Sequence, residues 1–190
     1  IYHGYIQNGI SYDSYGNQTM QASYAWDASE NKWIGFLKTE SEFDTSRNKT
    51  SEIKYTWDAD SDIWIYYFKT ERNFDDQERL TEETKFMRDL AKEKWKATSK
   101  EEMIFDDNLN KRTNIWHAYN SDIDTLSPGI KTETTLDENG LVIQENRYVW
   151  DTGTDDWRGD ISTTNEYDMY GNVIYTEENR WDPYSNEWYF

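Results

Sequence analysis

Cysteine is absent from this 190-residue chain, so no disulfide framework and no thiolate metal site can form. Apolar runs are short, and none approaches the roughly 20 residues that span a bilayer, which excludes membrane insertion by a helix. Histidine occurs twice, as His3 and His117. There is no Gly-rich phosphate loop, no nucleophile elbow and no Cys/His metal spacing. No signal peptide stands at the start. With no acid–base pair singled out among 38 acidic residues, the chain reads as a non-enzyme with no catalytic residues and no obligatory cofactor.

Aliphatic content is low as well. Ile, Leu, Val and Phe number 31, a composition that taken alone suggests disorder. The aromatics overrule it. Ten Trp and 15 Tyr supply large contact area, and their placement is periodic. Net charge is −18 and spread along the length. Such a field repels nucleic acid and anionic membrane surfaces, and favours cationic partners or divalent ions.

What the chain does contain is a repeat. A large apolar residue precedes Asp at Tyr12-Asp13, Phe43-Asp44, Phe74-Asp75, Phe105-Asp106, Leu136-Asp137 and Tyr167-Asp168, always 31 residues apart. Trp33, Trp64, Trp95, Leu126, Trp157 and Trp188 keep the same interval. A period in this range marks a repeat architecture, in which each unit buries its surface against its neighbours.

Within one unit, Asp13-Ser14-Tyr15-Gly16-Asn17 has the chemistry of a three-residue hairpin loop. Asp suits the first position of a type I turn, and Gly16 the left-handed position after it. This places Asp13 opposite Asn17 and Tyr12 opposite Gln18. Alternation then puts Gln18, Met20, Ala22, Tyr24 and Trp26 on one face of a strand. A polar loop follows between Trp26 and Trp33, and Trp57/Trp64, Trp150/Trp157 and Trp181/Trp188 flank equivalent loops. Their rings are expected to pair across the hairpin. Strict alternation in the return strand sets Trp33, Leu37 and Phe43 on that same aromatic face. It sends Ile34, Phe36, Lys38, Glu40 and Glu42 to the other, together with the series Lys38, Lys69, Lys100, Lys131 and Glu40, Glu71, Glu102, Glu133. Those ladders read as a solvated, salt-bridged surface or a docking surface.

The fold class is therefore all-β: an antiparallel β-meander of about 12 strands, built from six 31-residue two-stranded repeats in a single curled or twisted sheet or spiral shell. Residues 1–190 form one array, with repeats starting near 12, 43, 74, 105, 136 and 167 and a partial repeat at 1–11. Both ends read as cut from a longer protein. Repeats three and four depart from the pattern, with Arg88, Tyr119 and Leu126 in Trp positions and Ser127-Pro128-Gly129 at a strand start. The stretch 82–100 has helix-like charge, yet its register matches its neighbours as strand.

Tyr-Asp-x-x-Gly-Asn at 12–17 and 167–172, alternating with Trp-Asp-x5-Trp, resembles the tandem repeats of secreted and cell-surface proteins of Bacteroidetes-type bacteria. Its first half also resembles the YD repeats of Rhs-type shells. The resemblance implies an exported, non-enzymatic repeat protein, secreted or at the bacterial cell surface. The leading reading of the chain is a module for protein interaction or a structural spacer.

Candidate sites are few. Asp58, Asp60 and Asp62 alternate at the start of a loop, as oxygen ligands of a calcium site do, and also as exposed turns do. Rows of aromatic rings can stack on sugars, and Tyr15, Tyr66, Tyr67, Tyr170 and Tyr184 are the rings expected to be exposed for a glycan. His117 stands where Tyr24, Tyr55 and Tyr148 stand, which reads as packing. The partner is a protein or a glycan, and self-association through sheet edges or the aromatic face is left open.

Overall fold

A computed structural model describes residues 5–185 and 187–189; His3 and Asn186 lie outside them. Thirteen strands follow in chain order, antiparallel, in one meander. They are β1 (Ile6–Tyr12), β2 (Gln18–Asp27), β3 (Lys32–Phe43), β4 (Lys49–Asp58), β5 (Ile63–Phe74), β6 (Leu80–Asp89) and β7 (Lys94–Asp106). Then come β8 (Lys111–Asn120), β9 (Thr125–Leu136), β10 (Val142–Asp151), β11 (Asp156–Tyr167), β12 (Val173–Asp182) and β13 (Glu187–Tyr189). The charged stretch 82–100 is strand, as its register predicts, and no helix occurs among the described residues. The chain divides into two compact units, residues 1–98 and 99–190, with β7 running through the division.

The short turns form as their residues dictate. The Gly16 N–H bonds to the Asp13 carbonyl at 3.2 Å, and the Asp13 N–H to the Asn17 carbonyl at 3.0 Å. The Asp13 carboxylate accepts the N–H groups of Tyr15 and Asn17 at 2.9 Å each, and the Asn17 side-chain amide at 2.9 Å. Asp44 with Asn48 and Asp168 with Asn172 repeat this arrangement. Arg79 replaces Asn in the third repeat and donates from Nε to Asp75 at 2.8 Å. Gly16, Gly140 and Gly171 take φ near +82 to +85°, the left-handed conformation glycine adopts without strain.

At the other end of each hairpin the Trp pairs meet as expected. Trp26 stands opposite Trp33, Trp57 opposite Trp64, Trp150 opposite Trp157 and Trp181 opposite Trp188. Their ring centroids lie 5.0–5.3 Å apart, edge to face, each pair contributing about 0.5–1.5 kcal/mol beyond its buried area. Asp27 also pairs with Lys32, so the loop proper spans only four residues.

Strict alternation fails in the return strand, and this corrects the expectation of a single aromatic face. Tyr24 pairs with Gly35 and Ser23 with Leu37, leaving Phe36 without a partner across the ladder. Tyr67, Gly129 and Asp160 are left over in the same way. An unpaired extra residue reverses the facing of everything after it. Lys38, Glu40 and Glu42 therefore lie on the Trp face, and Leu37 and Phe43 lie opposite it. A second bulge, at Thr19 between the Tyr12–Gln18 and Ser11–Met20 pairs, turns Gln18 away from Met20. Thr50, Thr81, Ile143 and Ile174 repeat it. The β7–β8 hairpin dispenses with this bulge, because Phe105 pairs directly with Arg112 and the loop between Asp106 and Lys111 takes the additional residue.

Burial is correspondingly shallow. Ala22, 1% exposed, is the one fully enclosed apolar side chain among the described residues, and Ser41, Thr70, Thr84 and Ser162 are the buried polar ones.

Candidate functional site

The Trp face is assembled from a recurring unit of Lys, Glu and two rings. Lys38 on β3 lays its stem across Tyr55 on β4 toward Trp64 on β5, with Nζ 4.1 and 6.0 Å from the two ring centroids. Glu40 takes the same ammonium at 2.7 Å and accepts the Tyr55 hydroxyl proton. Lys69 with Glu71, Phe86 and Trp95 repeats the arrangement at 2.6, 4.6 and 5.4 Å. Lys131 with Glu133, Tyr148 and Trp157 does so at 2.8, 4.2 and 5.6 Å.

Burial pushes the Glu40 carboxyl up, but the bonds from Lys38 and Tyr55 outweigh it and hold it below the usual carboxylate range. Burial raises the Tyr55 phenol far above its ordinary value, and Glu40 adds to that. Tyr148 is raised by burial and by Glu133. Lys38 with Glu40 and Tyr55, and Lys131 with Glu133 and Tyr148, thus set an amine, a carboxyl and a phenol against one another, while Lys69 with Glu71 has the Phe86 ring in the phenol's place; with the Trp beyond, each unit ties three strands together. In the divergent middle, Lys100 meets Glu102 at 2.5 Å, while His117 Nε2 lies 3.6 Å from Glu102. That nitrogen is buried without a hydrogen bond. His117 thus takes the ring position of Tyr55 and Tyr148. Arg88, in place of a Trp, stacks its guanidinium 4.2 Å from the Tyr66 ring centroid.

The three alternating aspartates do not converge. Asp58 accepts the Asp60 N–H at 3.1 Å and the Ser61 hydroxyl at 2.6 Å, which closes its own turn. Asp62 takes left-handed backbone and binds Lys32 at 2.9 and 3.0 Å. No group of three His, Asp or Glu suited to a metal occurs among the described residues.

The tyrosines proposed for a glycan are not brought together either. Tyr66 is stacked against Trp95 at 5.0 Å and under Arg88, while Tyr67 is the bulged residue beside it. In the first unit Tyr15 lies in a short turn, away from that pair. In the second, Tyr170 (80% exposed) and Tyr184 (98% exposed) occupy opposite ends of the ten-residue β12, about 30 Å apart at the rise of a strand.

In each unit a recess lies among residues of the face opposite the tryptophans, which periodicity alone did not reveal. In the first unit a groove of about 440 Å³ is lined by Met20 and Gln21, by Thr39, Ser41 and Phe43, and by Glu52. Lys49 and Lys54 flank it and bind Glu52 at 2.9 and 3.6 Å. Burial raises the Glu52 carboxyl, and the Lys49 bond with both lysine charges outweighs it, so the group stays ionised. In the second unit a groove of about 410 Å³ is lined by Phe105, Thr113, Asn114, Thr132, Thr134 and Glu145 among others. The signal lay in the sequence as small hydroxyl residues at positions 41 and 134, three repeats apart, but only the corrected facing makes it readable.

No family model matches the chain. No curated protein matches it. Among solved structures, a protein of unknown function from Bacteroides fragilis is 14% identical, with 90% of this chain and 97% of that chain covered and a TM-score of 0.32. A DUF3836 family protein from Bacteroides vulgatus is 15% identical, covering 48% of this chain and 89% of its own, with a TM-score of 0.40. Another from Parabacteroides distasonis is 13% identical, covering 48% and 82%, with a TM-score of 0.39.

Proposed function

We propose that this chain is a non-catalytic β-repeat module of an exported bacterial protein, working through its sheet surface as an interaction module or spacer at the cell surface. The observation that carries the reading is how the charged groups are used. On the Trp face Lys38, Lys69 and Lys131 each pair with a glutamate of their own strand and pack on rings of the next two strands, and the turn aspartates Asp13, Asp44, Asp75 and Asp168 close their hairpins. The turn motifs, Tyr-Asp-x-x-Gly-Asn and Trp-Asp-x5-Trp, support export through the repeats they resemble. Protease treatment of intact cells producing the full-length protein tests it. Digestion from outside the cell is expected, and full protection until lysis contradicts surface display.

A second reading, binding of carbohydrate, draws its support from the two polar grooves rather than from the exposed tyrosines.

A further inference from the structure

The two grooves obey one rule, which is set by a single position of the repeat. Successive repeats place Ser41, Arg72, Met103, Thr134 and Asn165 there, 31 residues apart. Arg72 reaches its cross-strand partner Glu83 and ion-pairs with it at 2.8 Å, covering the sheet at that point. Asn165 donates to the Val142 carbonyl at 3.2 Å and accepts from Thr176 at 2.9 Å. Met103 fills its place and forms a wall of the second groove. Ser41 and Thr134 are short, and a recess lies at each of them.

The grooves also share their chemistry. A shift of three repeats carries Gln21 onto Asn114, Thr39 onto Thr132, Ser41 onto Thr134 and Glu52 onto Glu145, and all eight residues line a groove. Each recess thus has two hydroxyls on its floor, an amide on one side and a carboxylate on the other. Phe43 in the first and Phe105 in the second add a ring.

We infer that these grooves bind neutral carbohydrate, one or two sugar rings in each, with Ser41, Thr39, Gln21 and Glu52 as contacts in the first and Thr134, Thr132, Asn114 and Glu145 in the second. This rests on the carbohydrate reading above. Amides and hydroxyls both donate and accept, and a carboxylate takes two hydroxyl protons at once, which matches a vicinal diol. The phenylalanine offers an apolar surface to the C–H face of a ring. Volumes of this size lie within the range of small-molecule sites. An extended peptide adding as a strand is disfavoured, because β3 and β9 are hydrogen-bonded to neighbours on both sides. The net charge of −18 disfavours an anionic ligand.

The test is a glycan array followed by titration calorimetry with the best neutral oligosaccharide, on wild type and on the double variant Ser41→Arg/Thr134→Arg. Arginine at position 41 faces Glu52 as Arg72 faces Glu83, so the plug reproduces an arrangement the sheet already tolerates. Gln21→Ala/Asn114→Ala serves as a second variant, and Phe36→Ala, at a bulged residue that lines neither groove, as a control. Wild type is expected to bind neutral glycans, with affinity at least 10-fold weaker in both double variants and unchanged in the control. Binding that survives both double variants overturns the groove assignment while leaving carbohydrate binding intact. An array with no neutral binder above background overturns both.

Discussion

Lys38 and Tyr55 sit face to face on the Trp side of the sheet, with the ammonium 4.1 Å from the ring centroid and the lysine side chain only 17% exposed. A lysine on a solvated ladder does not behave this way. The contact joins β3 to β4, and through Trp64 it reaches β5, so much of what binds neighbouring hairpins passes through cation–ring packing rather than through an aliphatic core.

Lys38→Ala and Lys131→Ala are each expected to lower stability by about 1–2 kcal/mol, through the lost stem packing and cation–π contact. Lys85→Ala, whose ammonium meets Glu83 on the opposite face with the side chain 47% exposed, is expected to cost under about 0.5 kcal/mol. Urea unfolding followed by tryptophan fluorescence compares the three.

Gly35→Ala and Gly159→Ala test the closeness of rings to backbone. A Cβ at 35 would lie 2.6 Å from the Trp57 ring, and at 159 only 2.5 Å from the Trp181 ring. Each ring must shift, at a cost of about 1–3 kcal/mol. Gly16→Ala, where nothing lies near, is strained only by its positive φ. Differential scanning calorimetry should show lowered midpoints for both ring-contact variants.

His117→Tyr should stabilise the second unit. The buried Nε2 lacks a hydrogen bond, and a tyrosine there can donate to Glu102 as Tyr55 donates to Glu40. A gain of about 1 kcal/mol is expected, read as a higher urea midpoint at unchanged slope.

The turn aspartates set the acid limit. Asp13 is held below its ordinary range chiefly by the Asn17 side chain, and Asp75 chiefly by the Arg79 N–H. At Asp44 burial opposes and the Asn48 bonds outweigh it. Folded values below the unfolded one mean that their stabilisation is complete above about pH 4 and is lost as pH falls through the folded values. Thermal midpoints from pH 6 to 2 should therefore drop, and Asp44→Ala should melt lower than wild type at pH 7, with the gap closing at pH 2.

The turns and the Trp pairs were legible in the sequence because local chemistry decides them. Asp13, Gly16 and Asn17 close their hairpin by themselves, and Trp26 meets Trp33 across one short loop. The facing of the return strand was not legible by alternation, since one unpaired residue reverses it. Its trace is the doubled apolar step at Phe36-Leu37 and Tyr67-Phe68, where alternation breaks. From that reversal follow both the Lys–Glu–ring units, which alternation places on a solvated or docking surface, and the grooves at Ser41 and Thr134, whose side chains face away from the tryptophans. Tyr15, Tyr67, Tyr170 and Tyr184 are exposed and Tyr66 is not, but exposure alone does not gather rings into a site.

The most direct measurement of this reversal is side-chain NMR of Lys38. Ring-current upfield shifts of its δ and ε methylene protons, with cross-relaxation to the Tyr55 and Trp64 ring protons, are what the bulge at Phe36 requires. Random-coil shifts at Lys38, with Leu37 in contact with the Trp rings instead, would contradict it.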